Sequence, residues 1–257
     1  MFPILFHVGP FALRTYGALV ALAFMSSVGL LRWLGAGRRL PDAFLLDLST
    51  VLVGAGLLGA RIFYVALNWS YFHTHILEIF KVWEGGLVFY GGFLAAAVAG
   101  VSYIHHRGMP IAEVADILAP ALALGQAIGR WGCFAAGCCY GKPTEIPWAV
   151  HFHHPEALAP LGIGLHPTQI YESFGDLILA LFLTLLVRSA KLKPGVIFWL
   201  YVLLYAVLRY SVELFRGDDR GVIMAGLFPS QWIAAAAFLV AGTALILPLA
   251  GNKHGHS

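Results

Sequence analysis

Charge is the first thing this sequence has little of. Only 11% of its 257 residues are Asp, Glu, Lys or Arg, against about 25% in an ordinary soluble domain. With 60% hydrophobic residues and a mean hydropathy of +0.79, a freely soluble globular chain is excluded. Lysine, glutamine and serine are sparse, and neither a low-complexity segment nor an internal repeat is present, which excludes a solenoid. The short alternating segments that a transmembrane barrel requires are missing as well. Three cysteines cannot all pair within one chain. A disulfide framework is therefore excluded, although a single bridge stays open if the cysteines face an oxidising compartment. No cationic leader precedes the first apolar residues, so no cleaved signal peptide is expected. Pro3, Gly9 and Pro10 point instead to a short segment lying at the interface before the first span.

What is abundant is apolar sequence in runs near 20 residues, the mark of an all-α polytopic membrane protein with about seven transmembrane helices. The expected spans are 13–34, 44–69, 87–103, 111–134, 167–187, 194–214 and 228–249, in one integral-membrane domain covering 1–257. Residues 70–86 are too polar to span and suit an interfacial, amphipathic piece. Residues 137–166 form a loop of a length that is usually functional, a small outward-facing head. Arg32, Arg38, Arg39, Arg107, Arg188, Lys191, Lys193 and Lys253 fall on one set of loops. Arg14, Lys81, Lys142, Arg216 and Arg220 fall on the other. The positive-inside rule puts the first set in the cytoplasm, with the N-terminus and the 137–166 loop outside.

The polar stations fall at the outward ends of several spans: Tyr16-Gly17, Arg61, Gly85-Gly86 with Tyr90-Gly91-Gly92, Arg130, His166, and Arg209/Glu213/Arg216. Each charge alone suits half of a structural ion pair. Together they suggest one polar cavity opening outward, in which arginines offer planar donor forks to a phosphate. The densest station runs from Gly129 to Gly141 and holds Arg130 and all three cysteines. Cys133, Cys138 and Cys139, with His151, His153, His154 and His166, admit three readings. One is a metal site, though without a C-x2-C pair; another is a thiol–disulfide relay; the third, which the spacing favours, is a set of small residues in a tightly packed turn. His151, His153 and His154 suit an exposed loop cluster. His166 precedes Pro167 and Thr168 at a span start, as either a ligand or a plain helix-start signal.

These residues resemble a family, the bacterial prolipoprotein diacylglyceryl transferases. The resemblance rests on Leu13-Arg14-Thr15-Tyr16-Gly17 and on the run from Trp83 to Gly92. It continues through Gly129-Arg130-Trp131-Gly132 with Gly137 and Gly141, the run from His166 to Glu172, and Glu213-Leu214-Phe215-Arg216. The resemblance implies a multi-pass enzyme of the bacterial inner membrane with its site at the periplasmic leaflet. It would move the diacylglyceryl group of phosphatidylglycerol to the lipobox cysteine of a preprolipoprotein signal peptide. It also implies that Arg130, Tyr16 and Gly141 bind the phosphatidylglycerol and that Arg216, Tyr90, His166 and Glu213 serve catalysis. No metal or other cofactor and no nucleic acid is implied; the partners are membrane lipids and the two substrates, and a monomer is expected. The chain departs from the family pattern at Cys133, where asparagine is usual, at Cys138, where glutamate is usual, and at Tyr90, where a histidine proposed as the base often stands. A paralogue with another acceptor, or a lipid-binding or transport protein on the same scaffold, is the alternative.

Overall fold

Apolar runs fold as helices because only a helix satisfies every backbone N–H and C=O within its own segment when no water is at hand. The computed structural model describes residues 4–8, 11–189, 191–218 and 226–250. Pro3, Gly9, Pro10, Arg220 and Lys253 lie outside the described residues. The long helices are α1 (Thr15–Gly37), α2 (Asp42–Leu67), α4 (Phe89–His106), α5 (Ile111–Ala136), α6 (Thr168–Ser189), α7 (Val196–Glu213) and α8 (Pro229–Ala250); α3 (Trp69–Phe72) is a single turn. Among the described residues six of these, all but α3 and α4, are long and apolar enough to cross a membrane. Helix α4 occupies the expected third span, but it ends in His105-His106, which lowers its apolarity. The N-terminal segment is an antiparallel hairpin, β1 (Ile4–Val8) with β2 (Phe11–Arg14), so Leu13 and Arg14 precede the first helix instead of opening it.

The chain divides into two compact units, Gly35–Val114 and Met1–Leu34 with Ala115–Ser257. In the first, α2 and α4 meet through glycines. A Cβ on Gly92 would stand 2.8 Å from the Gly56 carbonyl oxygen, and one on Gly59 would stand 2.6 Å from that of Gly91. Helices in lipid associate by such close backbone approach, because apolar side chains gain little by leaving lipid for protein. Beyond α2, two 3-10 turns (Ile76–Phe80 and Val82–Glu84) form the interfacial piece. It carries Leu77, Phe80 and Trp83 exposed, as an amphipathic element lying on lipid should.

Arg61 holds this piece to α2. Its Nε donates to Ile79 O (2.9 Å), Nη1 to Gly85 O (2.8 Å) and Gly86 O (3.3 Å), and Nη2 to Glu78 O (2.5 Å). Its guanidinium also lies over the rings of Tyr64 and Phe72. Arg61 therefore serves backbone carbonyls of its own unit, a correction to its expected place among arginines that face a phosphate. Beside it, hydrogen bonds from Tyr71 and Lys81 hold the Glu78 carboxyl below the usual carboxylate range.

In the second unit α1 and α5 also approach through glycines. A Cβ on Gly132 would meet the Tyr16 ring at 3.1 Å, and one on Gly125 would meet Ser27 Oγ at 2.5 Å. Asp116 of α5 caps α7 from outside that helix: Gly195 N and Phe198 N each donate to its carboxylate at 2.8 Å. It satisfies two of the donors that a helix start leaves over. Residues 137–166 are more ordered than a loop. They form a small head with strands β3 (Val150–His151) and β4 (Gly164–Leu165) and a core of Phe152, Ala159 and Leu165. His151 and His153 stack on its exposed side, as expected of a loop cluster.

Candidate active site

The site is built on the way α5 ends. Gly137, at φ 72°, lets the chain reverse; its N–H donates to Phe134 O (3.2 Å), and Cys138 N–H donates to Cys133 O (3.1 Å). That pair of bonds defines a Schellman cap, which folds the second residue past the helix back over its last turn. The same cap explains why a C-x4-C spacing with glycine before the second cysteine brings two sulfurs together. Cys139 follows in the left-handed region (φ 62°), and all three sulfurs lie within 4.8 Å of one another as free thiols. His151, His153, His154 and His166 are not part of this cluster.

The first turn of α6 fixes the turn from the other side. Thr168 Oγ1 donates to Cys139 O and Gln169 Nε2 to Cys138 O, both at 2.7 Å, while Ser173 Oγ donates to Ala127 O at 2.7 Å. Thr168 and Gln169 therefore clasp the cysteine turn. Pro167 stands just ahead of the helix, and Thr168 does not cap it. Gly141 lies where three segments cross: its N–H donates to His166 O (3.0 Å), and Lys142 N–H donates to Phe215 O (2.8 Å). A Cβ there would stand 2.9 Å from Phe215 O. The glycine is needed for backbone packing that presents Arg216, its bridge partner.

Three arginines from three segments gather on one carboxylate. Arg130 of α5 pairs with Glu172 Oε1. Arg209 of α7 reaches the same oxygen at 4.0 Å and holds Glu213 Oε2 at 2.6 Å. Arg216 Nη1 lies 3.9 Å from Glu172 Oε2, while its Nε and Nη2 donate to Asp218 at 2.9 and 2.8 Å. Burial works against the Arg216 charge, but the hydrogen-bonded Asp218 carboxylate holds its pKa above the usual arginine value. Glu172, Glu213 and Arg216 are at most 3% exposed. Charges so buried persist only when paired.

The pairing is incomplete. Arg209 Nη1 and Arg216 Nη1 are buried donors with no hydrogen-bond acceptor among the described residues, and both Asp176 oxygens, one turn along α6, are also unpartnered. An unmade buried bond costs about 1–3 kcal/mol, more for a charged group, so such donors persist where an anion completes them. Arg130, Glu213, Arg216, Gly141, His166 and Tyr16 all belong to this unit. Tyr16 lies half exposed over Gly132, and His166 Nδ1 meets the Tyr171 hydroxyl at 3.3 Å. Tyr90 lies in the first turn of α4, in the unit Gly35–Val114. Sequence reasoning gave no role to Asp218 or Gln169 and expected Thr168 near the helix cap, where it instead clasps the Cys139 carbonyl. Adjacency to Arg216 and to His166 was the available signal.

Comparison with known proteins places the whole chain in a family. The family model described as prolipoprotein diacylglyceryl transferase matches residues 3–247. A phosphatidylglycerol–prolipoprotein diacylglyceryl transferase of Clostridium tetani is 36% identical over 93% of this chain and 95% of its own length. A protein of the same name from Synechocystis is 35% identical over 95% of this chain and 88% of its own, and one from Trichormus variabilis is 36% identical over 84% and 79%. A match that runs through the hairpin, the long helices and the arginine cluster alike leaves one conclusion: the chain belongs to the prolipoprotein diacylglyceryl transferase family.

Proposed function

We propose that this protein transfers the diacylglyceryl group of phosphatidylglycerol to the lipobox cysteine thiol of preprolipoproteins. The observation that carries the reading is a pair of buried donors, Arg209 Nη1 and Arg216 Nη1, with no acceptor among the described residues, set around Glu172 beside Arg130. A phosphodiester entering from the lipid completes them. In the reaction the acceptor sulfur attacks the glyceryl carbon that bears the phosphate, the C–O bond breaks, and glycerol phosphate leaves with one more negative charge. Guanidiniums already aimed at those oxygens stabilise that charge as it develops, with no reorganisation at the moment of reaction. Glu172 and Glu213 keep the arginines in place before lipid arrives. Both are held by arginines, so we assign the acceptor proton to His166, whose Nδ1 meets the Tyr171 hydroxyl. Tyr90, in the first turn of α4, is kept as a catalytic residue of this proposal on the resemblance alone. The enzyme works as a monomer in the bacterial inner membrane, with the head formed by 137–166 on the periplasmic side, in line with the basic residues of the opposite loops.

The test is complementation of a strain depleted of its own transferase, with labelled lipid used to follow thioether formation on a lipobox peptide. Label on the peptide cysteine is the expected result. Growth without label, or solute movement across liposomes with no modified peptide, overturns the reading.

A further inference from the structure

We propose that Cys133, Cys138 and Cys139 hold a Zn2+ ion whose fourth position takes the sulfur of the acceptor cysteine. This rests on the transferase reading and adds to it the means by which the attacking sulfur is made reactive.

The geometry carries the argument. The three sulfurs lie within 4.8 Å of one another; zinc at about 2.3 Å from each sulfur sets tetrahedral ligands about 3.8 Å apart. Closing that difference takes side-chain rotation only, because the backbone is fixed on both sides: the Schellman cap sets Cys138 over Cys133, and Thr168 and Gln169 hold the Cys139 and Cys138 carbonyls. A disulfide uses two sulfurs and leaves the third unexplained, whereas a soft cation uses all three. No histidine or carboxylate joins the cluster among the described residues. A zinc bound here has three protein ligands and one open position, the arrangement of catalytic sites, not of closed structural ones.

Charge and location agree. Three thiolates and Zn2+ sum to −1, and an acceptor thiolate brings −2. Arg130 stands one turn before Cys133 in α5, and Arg216 bridges Gly141, two residues past Cys139, so both offset that charge. Arg216 also belongs to the cluster around Glu172. One guanidinium thus joins the thiol turn to the phosphate site, which puts a zinc-held sulfur beside the ester it displaces. The departures from the family pattern at Cys133 and Cys138 supply two of the three ligands.

In the step, the acceptor S–H loses its proton as the sulfur coordinates zinc, the proton leaving to solvent by way of His166. The sulfur pair then forms the C–S bond, the C–O bond breaks toward glycerol phosphate, and the neutral thioether, a weak ligand, leaves the metal. Nothing is oxidised or reduced. A free thiol of pKa about 8.5 is only about 3% thiolate at pH 7, so full ionisation on zinc raises the reactive form by up to about thirtyfold.

The experiment uses the full chain purified in detergent. One zinc per chain by plasma mass spectrometry is expected, lost on changing any one cysteine to serine. Chelation should slow transfer to a lipobox peptide by up to about thirtyfold, with recovery on Zn2+ and none on Mg2+. Because chelation acts on the natural chain, a misfolded variant cannot mimic this result. Cobalt-substituted protein should show thiolate charge-transfer absorption that changes when the peptide is added and stays unchanged with its Cys→Ser analogue. Transfer that survives both chelation and the triple serine variant overturns the zinc proposal and leaves the transferase reading standing. Thiol-bound zinc with no transfer in any metal state overturns the transferase reading, and the activating role with it. Copper retained in place of zinc, removable without effect on transfer, overturns the zinc proposal too.

Discussion

Arg130 is paired with the buried Glu172 and, in the proposed reaction, donates to the lipid phosphate, and the two roles respond differently to mutation. Arg130→Ala should abolish labelling of the lipobox peptide while the protein still inserts; Arg130→Lys should not restore it, because an ammonium lacks the planar fork that spans two phosphate oxygens. Glu172→Ala should act first on stability. Removing one partner of a buried pair typically costs about 3–5 kcal/mol, and here it leaves Arg130, Arg209 and Arg216 facing one another. A large fall in the thermal midpoint in detergent, partly reversed by added phosphatidylglycerol, is the expected result. Arg130, Arg216 and Glu213 were legible in the sequence, since a charge at the edge of an apolar run has to be explained. Their convergence on Glu172 was not, because no spacing along α6 announces which side chains of α5 and α7 will meet it.

Helix ends, more than helix middles, shape this site. Gly137→Ala places a side chain in the left-handed region, at a cost of about 1 kcal/mol, with its Cβ 3.0 Å from that of Ala157. It should loosen the head and separate the sulfurs, seen as faster thiol alkylation of the folded protein. Gly92→Leu should part α2 from α4, since the Gly56 carbonyl would stand 2.8 Å from the new Cβ; poor recovery of folded protein after extraction is the outcome expected. Arg61→Ala should leave both helices intact and free the two 3-10 turns, read out as new protease cleavage between 76 and 86. The positions of the long helices were readable to within a few residues, because long apolar runs leave the backbone no alternative in lipid. The hairpin before α1 and the two short strands of the head were missed. Their pairing is set by partners elsewhere in the chain, and two-residue strands carry no periodicity.

For the whole molecule, the uneven basic residues give a topology that can be tested directly. Alkaline phosphatase inserted at position 145 should be active, and green fluorescent protein fused after residue 257 should fluoresce. The opposite pair of results would put the arginine cluster on the cytoplasmic side and overturn the proposed orientation.

Membrane residence and the approximate helix positions follow from composition alone, because transfer to lipid depends on what the residues are and hardly on their neighbours. The family, too, was readable from ordered motifs spread over the chain. Which arginine is a clasp and which faces an anion depends on the carbonyls and carboxylates that arrive from distant segments. Arg61 and Arg130 look alike in sequence; Arg61 ends among backbone oxygens and Arg130 beside Glu172. The meeting of three sulfurs was likewise decided by tertiary structure, because a capped helix end, a left-handed residue and two clasping side chains must all be in place before the thiols point to one centre.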